Sequence, residues 1–493
     1  MATALPVLTA PAGAHFANPG TPRPRVLLVN PSWAPKSGSK IGALPDLYPA
    51  MGVACVASML RADGFPVEIV DMPMIPIAED DDEALLRLLV ARRPQIVGFT
   101  AVTMTYPTVV RQARLVRRHL PGVPILVGGV HVTDAPELTL RDDCFDFSVA
   151  GEGEEPALHI CRGLHSGSVP PDLPGVGYHR ADPPYCNPRG NTDLASYPPT
   201  AYDLYDLPKY LRVYRRMSIM TQRGCNARCI FCSAGYAMPR VKFLPIDRVM
   251  HELQYLVGEV GFRFINIYDS NFTYKKQWVH QVCDRILESG LKFRWRCFSK
   301  TNGVDLELFQ KMRAAGCSHV LFGVESSHDR TLILVKKGAL RRHIEEAFAL
   351  AREAGLQRVA YSIVGLPGES REDVVETIRF LEQLDAEWNV ISPISLMPGT
   401  PLYNRMGEYR MLVTDPDWSH GSRGEVTATN SLLSPEEIRE LCELAFDRLN
   451  HGRQNYEWVE AVTDDPGTCP HVAMMSLVDP PDGKLAALGS VRA

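Results

Sequence analysis

From Arg25 onward the chain alternates short apolar runs with longer amphipathic ones. RVLLVN (25–30), VEIVD (67–71), QIVGFT (95–100), PILVGG (124–129) and the start of FSVAGEGEE (147–155) read as five strands. Between them lie helical stretches. AMGVACVASMLRADG stops at Gly64, and DDEALLRLLVARR (81–93) carries acids in its first turn and arginines in its last, as the helix dipole favours. TVVRQARLVRRHL is a third helix. Near-continuous apolar strands alternating with helices predict a parallel sheet covered on both faces, a doubly wound Rossmann-like domain over 25–163.

The pattern then breaks. Residues 164–216 are rich in proline (VPPDLPG, ADPPYCNP, SYPP) and weakly periodic, which predicts a linker with little regular structure. A second series follows over 217–403. MSIMT (217–221), FINIYD (264–269), FRWRCF (293–298), HVLFGV (319–324), RVAYSIVG (358–365) and VISPISL (390–396) are its strands. In RRHIEEAFALAREAG, Ile344, Ala347, Phe348 and Ala351 share one helical face, and Gly355 ends the helix. Six strand–helix units predict a partial (β/α)6 barrel of the TIM type, with its chemistry at the C-terminal strand ends. Residues 404–493 form a mostly helical C-terminal region and a candidate substrate cap. Its clearest helix starts at Ser434, where Ser-Pro-Glu-Glu is a capping box with proline at the first helical position. The last ~30 residues read as irregular tail. Residues 1–24 read as a loose leader, and as a poor signal peptide because no basic start precedes an apolar stretch.

Composition narrows the function classes. At 493 residues the chain has room for several domains. A net charge of -5 argues against a nucleic-acid partner, which would need a basic surface. No apolar run approaches the ~18 residues of a membrane span, so a cytoplasmic protein is expected. Of the 12 cysteines, Cys55, Cys283, Cys317 and Cys442 sit singly in apolar patterns, as small buried hydrophobes do in a reducing compartment.

Three cysteines differ. TQRGCNARCIFCSAG places Cys225, Cys229 and Cys232 at C-x3-C-x2-C spacing directly after the first strand of the second series. A short loop can wrap three thiolates round a [4Fe–4S] cubane, leaving one iron open to a further ligand. Zinc is the alternative, but it wants a fourth Cys or His nearby. The nearest histidine, His251, falls within a predicted helix.

This triad, with the aromatic Phe231 before its last cysteine and its place at the end of the first barrel strand, resembles the radical S-adenosylmethionine superfamily. The resemblance implies that the open iron chelates the methionine end of S-adenosylmethionine, which reduction by one electron cleaves to a 5′-deoxyadenosyl radical. It assigns Asp269 and Asn271 in YDSNFTY (268–274) to the methionine amine. Glu325 and Ser326 in FGVESS (322–327) go to the ribose, and Ser362 and Gly365 in YSIVGLPGES (361–370) to the ribose and adenine. MPGTPLY (397–403) matches the end of the sixth strand. Asp269 reads equally well as a cap for the next helix.

The first domain, with NPSW, GFTAVTMT, LVGGVHVT and VAGEGEE, looks like the cobalamin-binding domain found ahead of many such barrels. GEGEEP lacks the third glycine of a dinucleotide fingerprint. No D-x-H-x-x-G supplies a histidine to cobalt, as is usual in this subfamily, so the lower cobalt face is open or met by the loop at Thr103 to Tyr106. On this reading Asn30, Pro31, Thr100, Thr103, Gly128, Gly129, His131, Gly151, Glu152 and Gly153 border the cofactor, since they follow strand ends. His131 reads as a loop histidine rather than a cobalt ligand.

The resemblance implies a cobalamin-dependent radical methyltransferase acting on an unactivated carbon of a small molecule, supplied with electrons by an external flavodoxin- or ferredoxin-like reductant. Alternatives are a cyclase or ring-contracting enzyme built from the same parts, and a non-catalytic cobalamin-binding module. A methylthiotransferase would need a second cysteine triad, and Cys55, Cys144, Cys161 and Cys186 are too widely spaced for one. Tyr236, Trp295, Arg296, Cys297 and Trp418 are candidates for the substrate pocket or for the core.

Overall fold

The computed structural model describes residues 8–9, 22–32, 49–75, 81–418 and 425–450. The leader expected over 1–24 lies mostly outside them, as does the tail from 451. The first domain holds β1 (Val26–Asn30), α1 (Met51–Ala62), β2 (Val67–Asp71), α2 (Asp81–Arg92), β3 (Ile96–Thr100), α3 (Tyr106–His119), β4 (Ile125–Gly128), β5 (Phe147–Val149) and α4 (Glu154–Ser166). The five strands are parallel, in the order β2-β1-β3-β4-β5. Separate apolar clusters pack each face of this sheet, Leu28 and Leu126 on one side and Leu27 and Val127 on the other. Strands buried on both faces are what the continuous apolar runs demand.

The proline-rich segment is not the irregular linker its composition suggests. β6 (Val176–Tyr178) pairs antiparallel with β5, and β7 (Tyr185–Cys186) pairs antiparallel with β6, making the first sheet seven-stranded. Edge strands tolerate nearby proline because one side of their backbone needs no ladder partner. Beyond them, α5 (Leu207–Val213) and a run of tyrosines join the two domains. Tyr197, Tyr202, Tyr205, Tyr210 and Tyr214 pack into one cluster with Met51 and Ala54 of α1 and with barrel residues. Three of these hydroxyls bond across the joint: Tyr205 donates to Ala50 O at 2.9 Å, Tyr202 to Ser218 O at 3.0 Å, and Tyr210 to Asp71.

The second domain is a single sheet of six parallel strands in sequence order: β8 (Arg216–Ile219), β9 (Phe264–Ile267), β10 (Arg294–Ser299), β11 (Cys317–Glu325), β12 (Gln357–Val364) and β13 (Trp388–Pro393). The first and last strands do not pair, so the barrel is partial. Side chains alternate between the outer helices and the interior. Ile265, Ile267, Trp295 and Cys297 join the outer core, whereas Phe264, Leu321, Val359 and Val390 pack together within.

Between the strands run α6 (Ile246–Leu253), α7 (Lys276–Ser289), α8 (Leu306–Ala314), α9 (Arg341–Glu353) and α10 (Arg371–Leu384). The buried residues of α9 are Ile344, Ala347, Phe348 and Ala351, the face read from the sequence. α11 (Pro435–Leu449) opens on the expected capping box: Glu437 N donates to Ser434 Oγ at 3.2 Å, and Ser434 N donates to Glu437 Oε2 at 2.8 Å. α11 packs against β13 and α10. No helix among the described residues is long and apolar enough to cross a membrane.

Candidate active site

The cysteine loop leaves β8 and folds tightly on itself. Cys225 N donates to Met238 O at 3.0 Å, and Cys232 N to Cys229 O at 3.1 Å. The fold-back requires a residue without a side chain at 235, because a Cβ there would lie 1.8 Å from Ala227 O. Ile230 is fully buried between Val335 and Leu402, to which its backbone also bonds, so the centre of the loop is pinned from two sides. Phe231 packs half-buried against the same cluster. Cys225 and Cys229 are buried and Cys232 is half-buried, and the three lie within electrostatic reach of one another. No group of three His, Cys, Asp or Glu side chains among the described residues is set to hold a single metal ion.

Asp269 supports the loop rather than facing the site, contrary to its expected contact with the methionine amine. It is 1% exposed, and its carboxylate accepts from Thr221 N at 2.8 Å, Gln222 N at 3.1 Å and the Thr221 hydroxyl. Burial pushes its carboxyl up to about 7 against those three donors. Asn271 accepts from Lys300 N at 3.1 Å through Oδ1 and holds the end of β10 beside the loop.

Glu325 stands at a bulge of β11 with φ +66°, a left-handed conformation uncommon outside glycine. It accepts from Lys337 Nζ at 2.6 Å. Burial works against the Lys337 charge, but Glu325 and the thiols of Cys229 and Cys232 more than offset it and hold the group above the ordinary lysine range. Lys337 was not anticipated from the sequence.

Two other expected contacts need correction. Ser326 is fully buried and donates to Glu369 Oε1 at 3.2 Å. Ser362 borders a small void with Val374, Thr377 and Ile378, on the α10 side of β12, while Tyr361 joins the inner cluster. One step along a strand reverses the face, and Tyr361 holds the inward position. Gly365 N donates to Glu369 Oε2 at 3.0 Å and Leu366 N to the same oxygen at 3.2 Å. Glu369 therefore ties the ends of β11 and β12 together, and burial raises its carboxyl to about 7. Trp295 and Cys297 belong to the outer core, and Arg296 is buried and donates to Asn266. Tyr236 borders a separate cavity of about 630 Å³.

A cavity of about 460 Å³ runs from inside the first domain to the barrel mouth. Its inner part is an apolar slot between the sheet and helices α1 and α4, lined by Leu28, Val53, Val56, Gly98, Leu126 and Ala157. It opens at the strand ends past Thr100, Gly128, Gly129, Gly151, Glu152 and Gly153, all six of them expected there. Gly129 has φ +102°, and a Cβ would sit 2.6 Å from Ala101 O. The far wall is Met220, Gln222, Gly224, Ala234, Tyr268 and Ser270 of the second domain, which strand-end reasoning on the first domain alone missed.

Four expected residues do not line this cavity. Asn30 donates to Asp71 Oδ1 at 2.7 Å, and Pro31 is buried outside the lining. Thr103 is buried beside His131, whose ring nitrogen Nδ1 lies 3.2 Å from its hydroxyl. His131 sits in the short helix Val130–Asp134, stacked on Tyr106 at 3.9 Å and touching Trp418 at 5.5 Å. Burial lowers it to about 4, so it is neutral, and it is a core residue of this domain rather than a loop histidine.

The two domains are clamped where the cavity crosses between them. Arg223, two residues before the first cysteine, donates to Glu154 Oε1 at the start of α4 at 2.6 Å and lies 3.9 Å from Glu152. Lys242 donates to Glu152 at 2.7 Å. Burial opposes the Arg223 charge, and the two glutamates more than offset it.

The pattern of the Radical SAM superfamily matches residues 219–381, and that of the B12 binding domain matches 41–160. A protein of Pyrococcus horikoshii named as an uncharacterized methyltransferase is 31% identical over 375 residues, covering 74% of this chain and 80% of that protein. This chain belongs to the cobalamin-dependent radical S-adenosylmethionine enzymes. The anaerobic magnesium-protoporphyrin IX monomethyl ester cyclase of Rubrivivax gelatinosus is 25% identical over 406 residues, 78% of this chain and 70% of that protein. The same fold occurs in the methyltransferase TsrM of Kitasatospora setae, solved with cobalamin and a [4Fe–4S] cluster. The TM-score is 0.68 at 20% identity, over 94% of this chain and 92% of that one.

The cofactors of this family, a [4Fe–4S] cluster, S-adenosylmethionine and cobalamin, fit the residues present. The donor set of three thiols suits iron–sulfur ligation and leaves a coordination position open. The apolar slot and side-chain-free rim suit a large cofactor with a tail. Gln222 Oε1, buried at the cavity wall, has no hydrogen-bond partner among the described residues and is left for a ligand.

Proposed function

We propose that this enzyme transfers a methyl group to an unactivated carbon of a small molecule. The observation that carries the reading is the cavity shared by both domains. It sets the strand ends of the cobalamin domain against Met220, Tyr268 and Ser270 at the barrel mouth, one turn of chain from the cysteine loop. A methyl donor and a radical generator that face one chamber can act on one substrate in turn. When bound, the cluster and S-adenosylmethionine supply a 5′-deoxyadenosyl radical, and methylcobalamin supplies the methyl group.

On this reading Cys225, Cys229 and Cys232 hold the cluster, and Thr100, Gly128, Gly129, Gly151, Glu152 and Gly153 border cobalamin. Glu325 with Lys337, Asn271, and the backbone at Gly365 are the groups toward S-adenosylmethionine. Asp269 and Glu369 hold the backbone that presents those groups. The Tyr268, Phe298 and Tyr361 rings, each 5.7 Å from the next, make an aromatic wall at the barrel mouth. An external one-electron donor completes the system.

The test is anaerobic reconstitution with cluster and cobalamin, followed by incubation with methyl-labelled S-adenosylmethionine and reductant. Both 5′-deoxyadenosine and S-adenosylhomocysteine are expected, and alanine at the three cysteines abolishes the deoxyadenosine. Similarity to the cyclase favours a second reading without methyl transfer. Deoxyadenosine without S-adenosylhomocysteine, and label that never reaches product, would establish that reading instead.

A further inference from the structure

Three segments meet on the outside of the cysteine loop. Ile230 N donates to Val335 O at 3.0 Å, and Leu402 N donates to Ile230 O at 3.0 Å. Ile230, Val335, Leu402 and Met411 pack into one apolar cluster. The side chains that radiate from it are basic. Arg228, Lys336, Arg405 and Arg410 are all exposed, each within two or three residues of a member of that cluster. Arg228 lies over the Tyr236 ring at 5.6 Å and Arg405 over Tyr409 at 5.4 Å, and Tyr236 is within electrostatic reach of Arg228, Arg405, Tyr409 and Cys229. Glu408 faces Arg405 at 3.5 Å. Beside Val335, Ile333 is 65% and Leu334 44% exposed. The chain as a whole carries -5, so a basic patch here runs against its average.

The segments that carry the patch adjoin the thiols. Arg228 adjoins Cys229 in sequence, and Lys337, next to Lys336, lies within electrostatic reach of both Cys229 and Cys232. Exposed apolar side chains among cations make the pattern of a small interface with a polar rim, and transient redox encounters use small interfaces. Cations steer an acidic partner and raise its on-rate.

We propose that this surface docks an acidic one-electron carrier protein, with Lys336, Arg405 and Ile333 as its principal contacts. The inference rests on the function proposed above, which needs an electron at the cluster. One electron leaves the reduced carrier, which is oxidised by one, and enters the cluster, which is reduced by one. No bond to carbon and no proton changes hands in this step.

The test uses the reconstituted holoenzyme, flavodoxin as the acidic probe, and dithionite as a reductant that needs no docking. Wild type is compared with Lys336→Glu/Arg405→Glu and with Ile333→Ser. The charge reversal is expected to slow flavodoxin reoxidation about 10-fold or more at low salt and to flatten its ionic-strength dependence. Ile333→Ser is expected to weaken binding of oxidised flavodoxin. Iron content and dithionite-driven deoxyadenosine should match wild type. An unchanged flavodoxin rate and salt dependence, or an equal loss with dithionite, would overturn the assignment, as would wild type that fails to bind flavodoxin at low salt. Wild type that binds flavodoxin through these residues, yet makes no deoxyadenosine with dithionite, would support the docking surface while refuting the functional reading.

Discussion

Replacing Glu154 with Gln removes the charge that balances Arg223 across the domain joint. Both side chains are nearly withdrawn from solvent, at 3% and 10% exposed, and they meet at 2.6 Å. Breaking a buried pair by neutralising one partner costs about 3–5 kcal/mol, because the other charge stays desolvated. Arg223 keeps Glu152 at 3.9 Å, but Lys242 already engages that carboxylate at 2.7 Å, so the relief is partial. Glu154→Gln should therefore destabilise by about 2–4 kcal/mol, read as a shift in urea midpoint of the apoprotein. Replacing the pair with apolar residues, Arg223→Met with Glu154→Leu, should restore much of the loss, as buried pairs are often replaceable together. Because Glu154 also lines the shared cavity, Glu154→Gln should release cobalamin faster on gel filtration. A loss under about 0.5 kcal/mol, the range of ordinary surface substitutions, would show that the pair is not a clamp, as would a double variant as damaged as the sum of the singles.

Other consequences are as direct. Gly235→Ala forces a methyl group to within 1.8 Å of Ala227 O, so the cysteine loop must open, and iron and sulfide content after reconstitution should fall sharply while far-UV circular dichroism stays near wild type. Asp269 has its folded carboxyl at about 7, above the ordinary 3.8, so its contribution to stability is present below about pH 4 and declines as pH rises toward 7. The stability of wild type relative to Asp269→Asn should therefore drop by about 2–3 kcal/mol between pH 5 and pH 7, measured by urea unfolding at each pH. Ser434→Ala removes the cap of α11 and should cost about 1 kcal/mol, seen as a lowered Tm with cluster content unchanged.

What was legible in the sequence was local. The face of α9, the box at Ser434 and the strand runs are set by residues within one or two turns of each other, and each appears where the pattern puts it. The cysteine loop was legible because spacing and position after a strand are both local facts. The failures share a different cause. β6 and β7 were hidden because nearby prolines and glycines read as punctuation, whereas β7 is an edge strand and Gly177 of β6 is where a Cβ would meet Ser148 Oγ. The resemblance names Ser362, but the pleat turns it toward α10 and puts Tyr361 inward. His131 looked available because it follows a strand end, but a short helix turns it into the packing against Tyr106. Lys337 acquires a role through Glu325, 12 residues away on another element, and Gln222 and Tyr268 through partners tens of residues away, which no single motif contains.

Three buried carboxylates show how the site is built without being part of the contact layer. Glu154 is held by a cation, and so it joins one domain to the other. Asp269 and Glu369 form no ion pair among the described residues; each accepts from two backbone N–H groups and one hydroxyl. Such donors fix the backbone at the carboxylate but only partly compensate the loss of water, which is why both carboxyls are raised to about 7. The consequence is positional. Asp269 fixes the chain at 221–222, just before the cysteines, and Glu369 fixes it at 365–366, just after β12. Glutamine or asparagine at either position keeps one oxygen for the two N–H donors but puts an NH2 where the second carboxylate oxygen stood, so the hydroxyl must turn round and accept. The cysteine loop and the turn after β12 are thus set by carboxylates whose oxygens are taken up by the chain itself. Spacing in the sequence can identify a ligand, but the residue that aims it is found only where the strands bring the two together.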